Sequence, residues 1–384
     1  MARRNHTLAQ LKESYLFEEI AKRKARFPQD QLLNLGIGDT TQPLSAPVIS
    51  ALQEAAAKLG CATTYTGYEN AFGRTLLREA ISQKIYHGKI SPEEIFISDG
   101  SKCDLARLQQ LFHPECMVAM QDPSYPAYVG ATKISGKERI IFLSCTPENQ
   151  FAPDLSELPQ IDLFYLCSPN NPTGHVMDHE ELKSYISIAQ KNGAIIVFDS
   201  AYASFIGDPS LPRSIYEIEG SKGVALEMGS FSKMSGFTGV RLGWLVVPKE
   251  LYFQDGTSVR EDWMKISATC FNGASNLAQA GGLAALSEEG MKTSRNITEY
   301  YMENAHLLKR SLHLPTYGGK NAPYLWVDLG GKSSWEVFEQ LLCDYKIVTT
   351  PGVGFGAQGE GFLRLSAFAQ REHVEQALHY LQRL

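Results

Sequence analysis

The chain has 384 residues, 43% of them hydrophobic and 20% charged, with a formal net charge of −6. That length and apolar content allow two domains with sizeable cores. The acidic balance and the lack of any long apolar run argue against nucleic acid, an anionic membrane surface or a bilayer as the main partner.

In chain order, Met1 to His6 is basic, but no apolar run follows, so it does not read as a secretory signal. Gly36-Ile37-Gly38-Asp39 is glycine-rich yet lacks the third glycine and following helix of a dinucleotide fingerprint. From Pro47 to Val247, short apolar runs alternate with helix-like stretches. Strands are predicted at 95–98, 117–120, 140–143, 163–166, 194–198, 224–228 and 242–247. Continuous apolar runs suit strands covered on both faces, which predicts a mostly parallel sheet in an α/β domain. Helices are predicted over 103–112 and over 178–191, the second with Leu182, Tyr185, Ile186 and Ala189 at helical spacing. Beyond them, long helical stretches cover 277–313. An apolar run at 324–327, a helix, a strand candidate around Arg364 and a final helix from Arg371 follow, as in a smaller α+β unit. The seven cysteines, Cys61, Cys103, Cys116, Cys145, Cys167, Cys270 and Cys343, form no CxxC pair. They predict reduced, mostly buried thiols in a cytoplasmic protein, with no metal site.

Polar residues follow the predicted strands, and in such sheets functional groups collect at the strands' carboxyl ends. Ser98-Asp99-Gly100-Ser101-Lys102, Asp122-Pro123-Ser124-Tyr125, Ser168 to Gly174, Asp199-Ser200-Ala201-Tyr202 and Lys233 outline one pocket. Lys233 stands among small and hydroxyl residues, where a neutral amine can form an imine with an aldehyde. Ser230, Ser232 and Arg241 are natural phosphate partners. A phosphate and an aldehyde together describe pyridoxal 5′-phosphate (PLP). Asp199, at the end of an apolar run, would keep the pyridine nitrogen protonated and the ring an electron sink, although a helix N-cap fits the local sequence as well. Asn171 and Tyr202 would hydrogen-bond the phenolic oxygen, and Tyr125 would stack on the ring. Ser101 and Lys102 open a predicted helix whose first N–H groups favour an anion. Arg364, inside an apolar strand, needs an anionic partner. A substrate α-carboxylate would serve, and an internal ion pair is the alternative.

The ordered set Gly38, Tyr68, Gly100-Ser101-Lys102, Tyr125, Asn171-Pro-Thr-Gly, Asp199-x-x-Tyr202, Ser230-x-Ser232-Lys233, Arg241 and Arg364 resembles the fold-type I PLP-dependent aminotransferases nearly end to end. The resemblance implies a large PLP-binding α/β domain at 48–285 and a smaller discontinuous α+β domain from 1–47 and 286–384. It also implies transamination between amino acids and keto acids by a homodimer with shared active sites. Within that family, the stretches 35–43, 98–104, 232–239 and 269–275 are similar to the diaminopimelate branch, which serves lysine biosynthesis. By that similarity Tyr15, Gly38, Lys102, Tyr125, Asn171, Asn272 and Arg364 would touch substrate. Tyr68 and Asn272 would bind cofactor and reach the pocket from the partner subunit. In Gly67-Tyr68-Glu69-Asn70-Ala71, Ala71 stands where the family often has glutamate and an acid appears at Glu69 instead, which predicts looser specificity. The competing readings are an aspartate- or aromatic-type aminotransferase, a PLP-dependent carbon–sulfur lyase, and a non-catalytic PLP-binding regulator. The last is disfavoured by the lack of a basic helix-turn-helix segment.

Overall fold

The computed structural model describes residues 2–10 and 16–382. A short strand, β1 (Leu33–Asn34), precedes the seven strands of the central sheet: β2 (Ile95–Ser98), β3 (Val118–Asp122), β4 (Ile140–Ser144), β5 (Leu163–Cys167), β6 (Ile195–Asp199), β7 (Ala225–Ser230) and β8 (Gly243–Val246). Their order is β2-β8-β7-β6-β5-β3-β4. Only β8 runs against its neighbours, and every other pair is parallel. The apolar runs are continuous because both faces are covered. Ile196 and Phe198 of β6 enter one apolar cluster, while Ile195 and Val197 enter the opposite one.

Local signals set the helices. The helix His179–Asn192 starts at Asp178, whose side chain accepts from the Glu180 and Glu181 amides, and stops at Gly193. Its buried residues are Leu182, Tyr185, Ile186 and Ala189, the face predicted from spacing. The helix predicted from 103 begins earlier, at Ser101, and gives way after Leu108 to a 3-10 turn, Gln109–Leu111.

The other strands are β9 (Thr316–Gly318), β10 (Tyr324–Asp328), β11 (Ile347–Val348), β12 (Thr350–Pro351) and β13 (Phe362–Ser366). An antiparallel sheet of order β12-β13-β10-β9 forms, and β1 pairs in parallel with β11. Leu16, Ile20, Leu33 and Leu35 therefore share a core with Leu325, Val348 and Leu363. The helix Glu288–Ser311 ties this core to the central sheet. Its Tyr301 packs with the sheet's side chains, and its Ala305 and Leu308 pack in the second core.

All seven cysteines are free, but the expectation that they are mostly buried is corrected. Only Cys145 and Cys167 are buried, and Cys61, Cys270 and Cys343 are exposed. Cys167 ends a strand covered on both faces. Cys61 instead follows a helix end, Cys270 closes the helix Val259–Cys270, and Cys343 lies on an outer face of Ser334–Tyr345. Among the described residues, no helix is long and apolar enough to cross a membrane.

Candidate active site

The loops at the carboxyl ends of the central strands meet arginine-bearing β13 around a cavity of about 340 Å³. Gly38, Ser101, Lys102, Tyr125, Asn171, Asp199, Tyr202, Ser230, Ser232, Lys233, Arg241 and Arg364 all line it. Residues far apart in the chain, such as Gly38 and Arg364, thus line one cavity.

Lys233 lies in the one-turn helix Phe231–Met234 that leaves β7, capped by Ser230, whose Oγ accepts from the Ser232 amide at 3.1 Å. Lys233 Nζ donates to the Gly38 carbonyl and lies 5.5 Å from the centre of the Phe368 ring. Burial lowers its pKa to about 8; Arg364 and Arg241 push the same way, and Asp39 opposes them. About a tenth of this lysine is therefore a neutral amine at pH 7, far more than for a solvated lysine, and able to act as nucleophile or base.

Asp199 ends β6 with 8% of its surface exposed. Its Oδ2 accepts from Tyr128 Oη at 2.7 Å, and its Oδ1 accepts from the Ala201 amide at 3.0 Å. Burial raises its pKa, and these two hydrogen bonds oppose the rise. Both donors are neutral, so a cation brought into the cavity would favour the carboxylate strongly.

At another side of the cavity the turn from β2 leads into the helix Ser101–Leu108. Gly100 adopts φ 116°, and a Cβ there would lie 2.5 Å from Arg241 Nη2. Glycine is what lets the guanidinium rest against this turn. Ser101 Oγ donates to the Gly229 carbonyl at 3.2 Å, which fastens the helix start beside Ser230. Two hydroxyls, an arginine and a helix start are thereby gathered, a set suited to a phosphate.

Arg364 is 1% exposed. Its Nη1 donates to Asn171 Oδ1 at 2.7 Å, and its Nη2 to the Gly36 carbonyl at 2.5 Å and to Thr350 Oγ1 at 3.3 Å. Its guanidinium carbon stands 4.5 Å from the Tyr324 ring centre and 4.9 Å from that of Phe355. These acceptors are neutral, and the aromatic rings hold the fork flat, ready for a carboxylate. Tyr202 and Tyr324 join hydroxyl to hydroxyl at 2.8 Å. Lys102 Nζ lies 5.9 Å from the Tyr125 ring centre.

Two predicted residues are not brought to this cavity. Tyr68 is 92% exposed. Asn272, at φ 64°, is also exposed and does not line the cavity. Tyr15 lies outside the described residues. The Tyr68 and Asn272 loops do lie near each other, since Asn276 Nδ2 donates to Thr66 Oγ1 and to the Gly67 carbonyl, each at 3.0 Å. Glu69 pairs with Arg74 Nε at 2.5 Å. Sequence reasoning missed Tyr128 and Tyr324. Tyr324 opens an apolar run that reads as plain core, and only Tyr128's place three residues after Tyr125, in the helix Ala127–Ile134, could have marked it.

The aminotransferase class I and II family pattern matches residues 30–381. An LL-diaminopimelate aminotransferase of Protochlamydia amoebophila (strain UWE25) is 52% identical over 396 residues, covering 98% of this chain and 96% of its own length. The chloroplastic LL-diaminopimelate aminotransferase of Arabidopsis thaliana is 46% identical over 400 residues, covering 99% and 87%. The solved L,L-diaminopimelate aminotransferase of Chlamydomonas reinhardtii has a TM-score of 0.95 at 45% identity, covering 100% of this chain and 98% of its own. A Thermus thermophilus aspartate aminotransferase double mutant, at 22% identity and a TM-score of 0.87 with full coverage of both chains, shares the fold.

Proposed function

The chain belongs to the class I and II aminotransferases, and we propose that within this family it exchanges amino groups between LL-2,6-diaminopimelate and 2-oxoglutarate, a step of lysine and diaminopimelate biosynthesis. In the biosynthetic direction glutamate gives the amino group and tetrahydrodipicolinate, the cyclised keto acid, takes it up with water; the reverse direction yields glutamate and tetrahydrodipicolinate. The names of relatives 46% to 52% identical over nearly the whole chain support this reading. The observation that carries the chemistry is the convergence of Lys233, Asp199 and Arg364, from three separate elements, on one cavity.

The proposed cofactor is PLP, and the donor set fits it. A buried carboxylate held by neutral donors is costly unless a cation joins it, and a protonated pyridine nitrogen is such a cation. Ser101, Ser230, Ser232 and Arg241 would hold the phosphate, Asn171 and Tyr202 the phenolic oxygen, Tyr125 the ring face, and Lys233 the aldehyde. When bound, the group supplies a sink for the electron pair left at the substrate's Cα. Lys233 Nζ, as a neutral amine, would take the proton from the substrate's Cα and carry it within the site. Arg364 grips the α-carboxylate and so fixes which bond to Cα stands beside Lys233. The aromatic walls, Tyr324 among them, exclude water from the proton's path.

The proposal extends to a homodimer in which Tyr68 and Asn272 complete the partner's site. Their exposure and the nearness of their loops support it. It also extends to the domain division at 48–285 against 1–47 with 286–384. The free thiols suit a reducing compartment such as the cytoplasm. The test is a donor panel with the purified chain, PLP and 2-oxoglutarate. LL-diaminopimelate should form glutamate faster than the meso and DD isomers, aspartate or phenylalanine. Preference for aspartate or an aromatic donor would refute the substrate, and ammonia release without glutamate would refute transamination.

A further inference from the structure

We infer that Glu227, a buried carboxylate outside the cavity, is a positioning residue that sets the Asp199–Tyr202 turn from behind the sheet. This rests on the roles proposed above for Asp199 and PLP. Glu227 lies in β7, is 1% exposed and pairs in register with Phe198, one residue before Asp199. Strand alternation puts its side chain on the face away from Tyr128 and Tyr202, whose cluster takes Leu226 and Met228 on either side of it.

The carboxylate's acceptor capacity is fully used. Its Oε1 accepts from Tyr86 Oη at 2.9 Å and Ser200 Oγ at 3.0 Å. Its Oε2 accepts from Ser214 Oγ at 2.5 Å and the Ile215 amide at 3.2 Å. Trp244 Nε1 donates to Tyr86 Oη at 2.9 Å and fixes which way that hydroxyl points. Burial pushes the Glu227 pKa up to about 7 against these hydrogen bonds. A carboxylate in such a place is costly to bury, and it is held there by four donors that would lack an acceptor without it. What it adds is a fixed junction between segments, and one of those segments is the catalytic turn.

Ser200 is the link. It stands between Asp199 and Ala201, and the Ala201 amide is what holds Asp199 Oδ1. The Ser200 amide donates to the Met228 carbonyl at 3.0 Å, and its carbonyl accepts from the Ala203 amide at 2.9 Å. Its hydroxyl has one proton and two acceptors at 3.0 Å, Glu227 Oε1 and the Met228 carbonyl. The carboxylate is the stronger acceptor. Glu227 thereby fixes the start of the turn that aims Asp199 into the cavity.

The test uses the full-length holoenzyme with Glu227→Gln, Ser200→Ala and the double variant. Glutamine keeps the shape but sets N–H groups against donors, of which the Ile215 amide cannot reverse. Each single variant should lower kcat about three- to tenfold, the scale of one hydrogen bond, with a smaller change in KM. Each should also move the absorption maximum of the bound cofactor towards that of a ring without its nitrogen proton. The double variant should fall no further than the worse single, because both act through one link. An unmoved maximum in Ser200→Ala, or losses that multiply in the double variant, would overturn the inference and leave Glu227 a core polar group. If Glu227→Gln does not fold, Ser200→Ala decides alone through the maximum and the kcat-against-KM split. A wild-type chain that shows no visible band with PLP would instead overturn the cofactor reading, and this one with it.

Discussion

Lys233 draws its reactivity from dryness more than from any one neighbour. An ordinary lysine titrates near about 10.4, and burial brings this one to about 8, with Arg364 and Arg241 adding to the effect. The sign of the linkage follows. Between about 8 and the ordinary value the unfolded chain holds a proton that the folded chain has released, so this group's contribution to stability rises with pH across that window. The same shift governs reactivity, since only the free amine attacks an aldehyde. Uptake of PLP by the apo chain, followed by its visible absorbance, should therefore quicken with pH about a midpoint near 8. A midpoint above about 10 would mean a solvated amine. Glu227 and Asp104 are shifted in the other sense, each up to about 7 and each chiefly by burial. They favour the fold at low pH and lose that contribution as pH rises towards neutrality.

Elements were legible where both the period and the end signals were present. The helix after Asp178 has an apolar face, a capping box and a left-handed glycine, and it forms over nearly the predicted span. Strands β2 to β8 were legible as apolar runs, but a run carries no direction, so the reversal of β8 could not be read from it. Strands β11 and β12 have two residues each, too few to show any period. The helix start at Ser101 was placed two residues late because its cap is Gly100, a residue that signals turns in general. That glycine is the sharpest test at this scale. Alanine at Gly100 would face both a φ of 116° and a Cβ 2.5 Å from Arg241 Nη2. Backbone strain of this kind costs about 1–3 kcal/mol. Gly100→Ala should weaken PLP binding by about tenfold or more by moving the guanidinium or the turn, measured by titrating the apo chain with cofactor. Unchanged affinity would detach Arg241 and this turn from the phosphate.

At the scale of the molecule, most of the candidate site was legible because each loop carried its own chemistry: a lysine among hydroxyls, an aspartate after an apolar run, an arginine within one. Tyr128 and Tyr324 were hidden because an aromatic in an apolar run looks like core until its hydroxyl is seen to meet Asp199 or Tyr202. The joining of the two sheets was hidden for a related reason, since it depends on contacts between distant backbones. Asp122, at the end of β3, is 4% exposed and accepts from the Gln358 amide at 3.3 Å. Burial raises its pKa, and the Gln358 and Ala357 amides oppose the rise. A Cβ on Gly356 would lie 1.9 Å from Asp122 Oδ1, so the close approach requires glycine there. Two residues on, the Ser124 amide donates to the Phe355 carbonyl at 2.9 Å. Phe355 is one of the rings that hold Arg364. Asp122 thus connects the loop bearing Tyr125 to the floor beneath Arg364. Asp122→Ala should free the 352–359 segment, leave the cofactor's absorbance as it is, and raise KM for the amino donor about three- to tenfold, the scale of one buried hydrogen bond. Asp122→Asn keeps one oxygen acceptor and should recover part of the loss. A rise in KM matched by loss of the cofactor band would mean that Asp122 shapes the cofactor loop as a whole; an unchanged KM would mean that the floor under Arg364 stands without it.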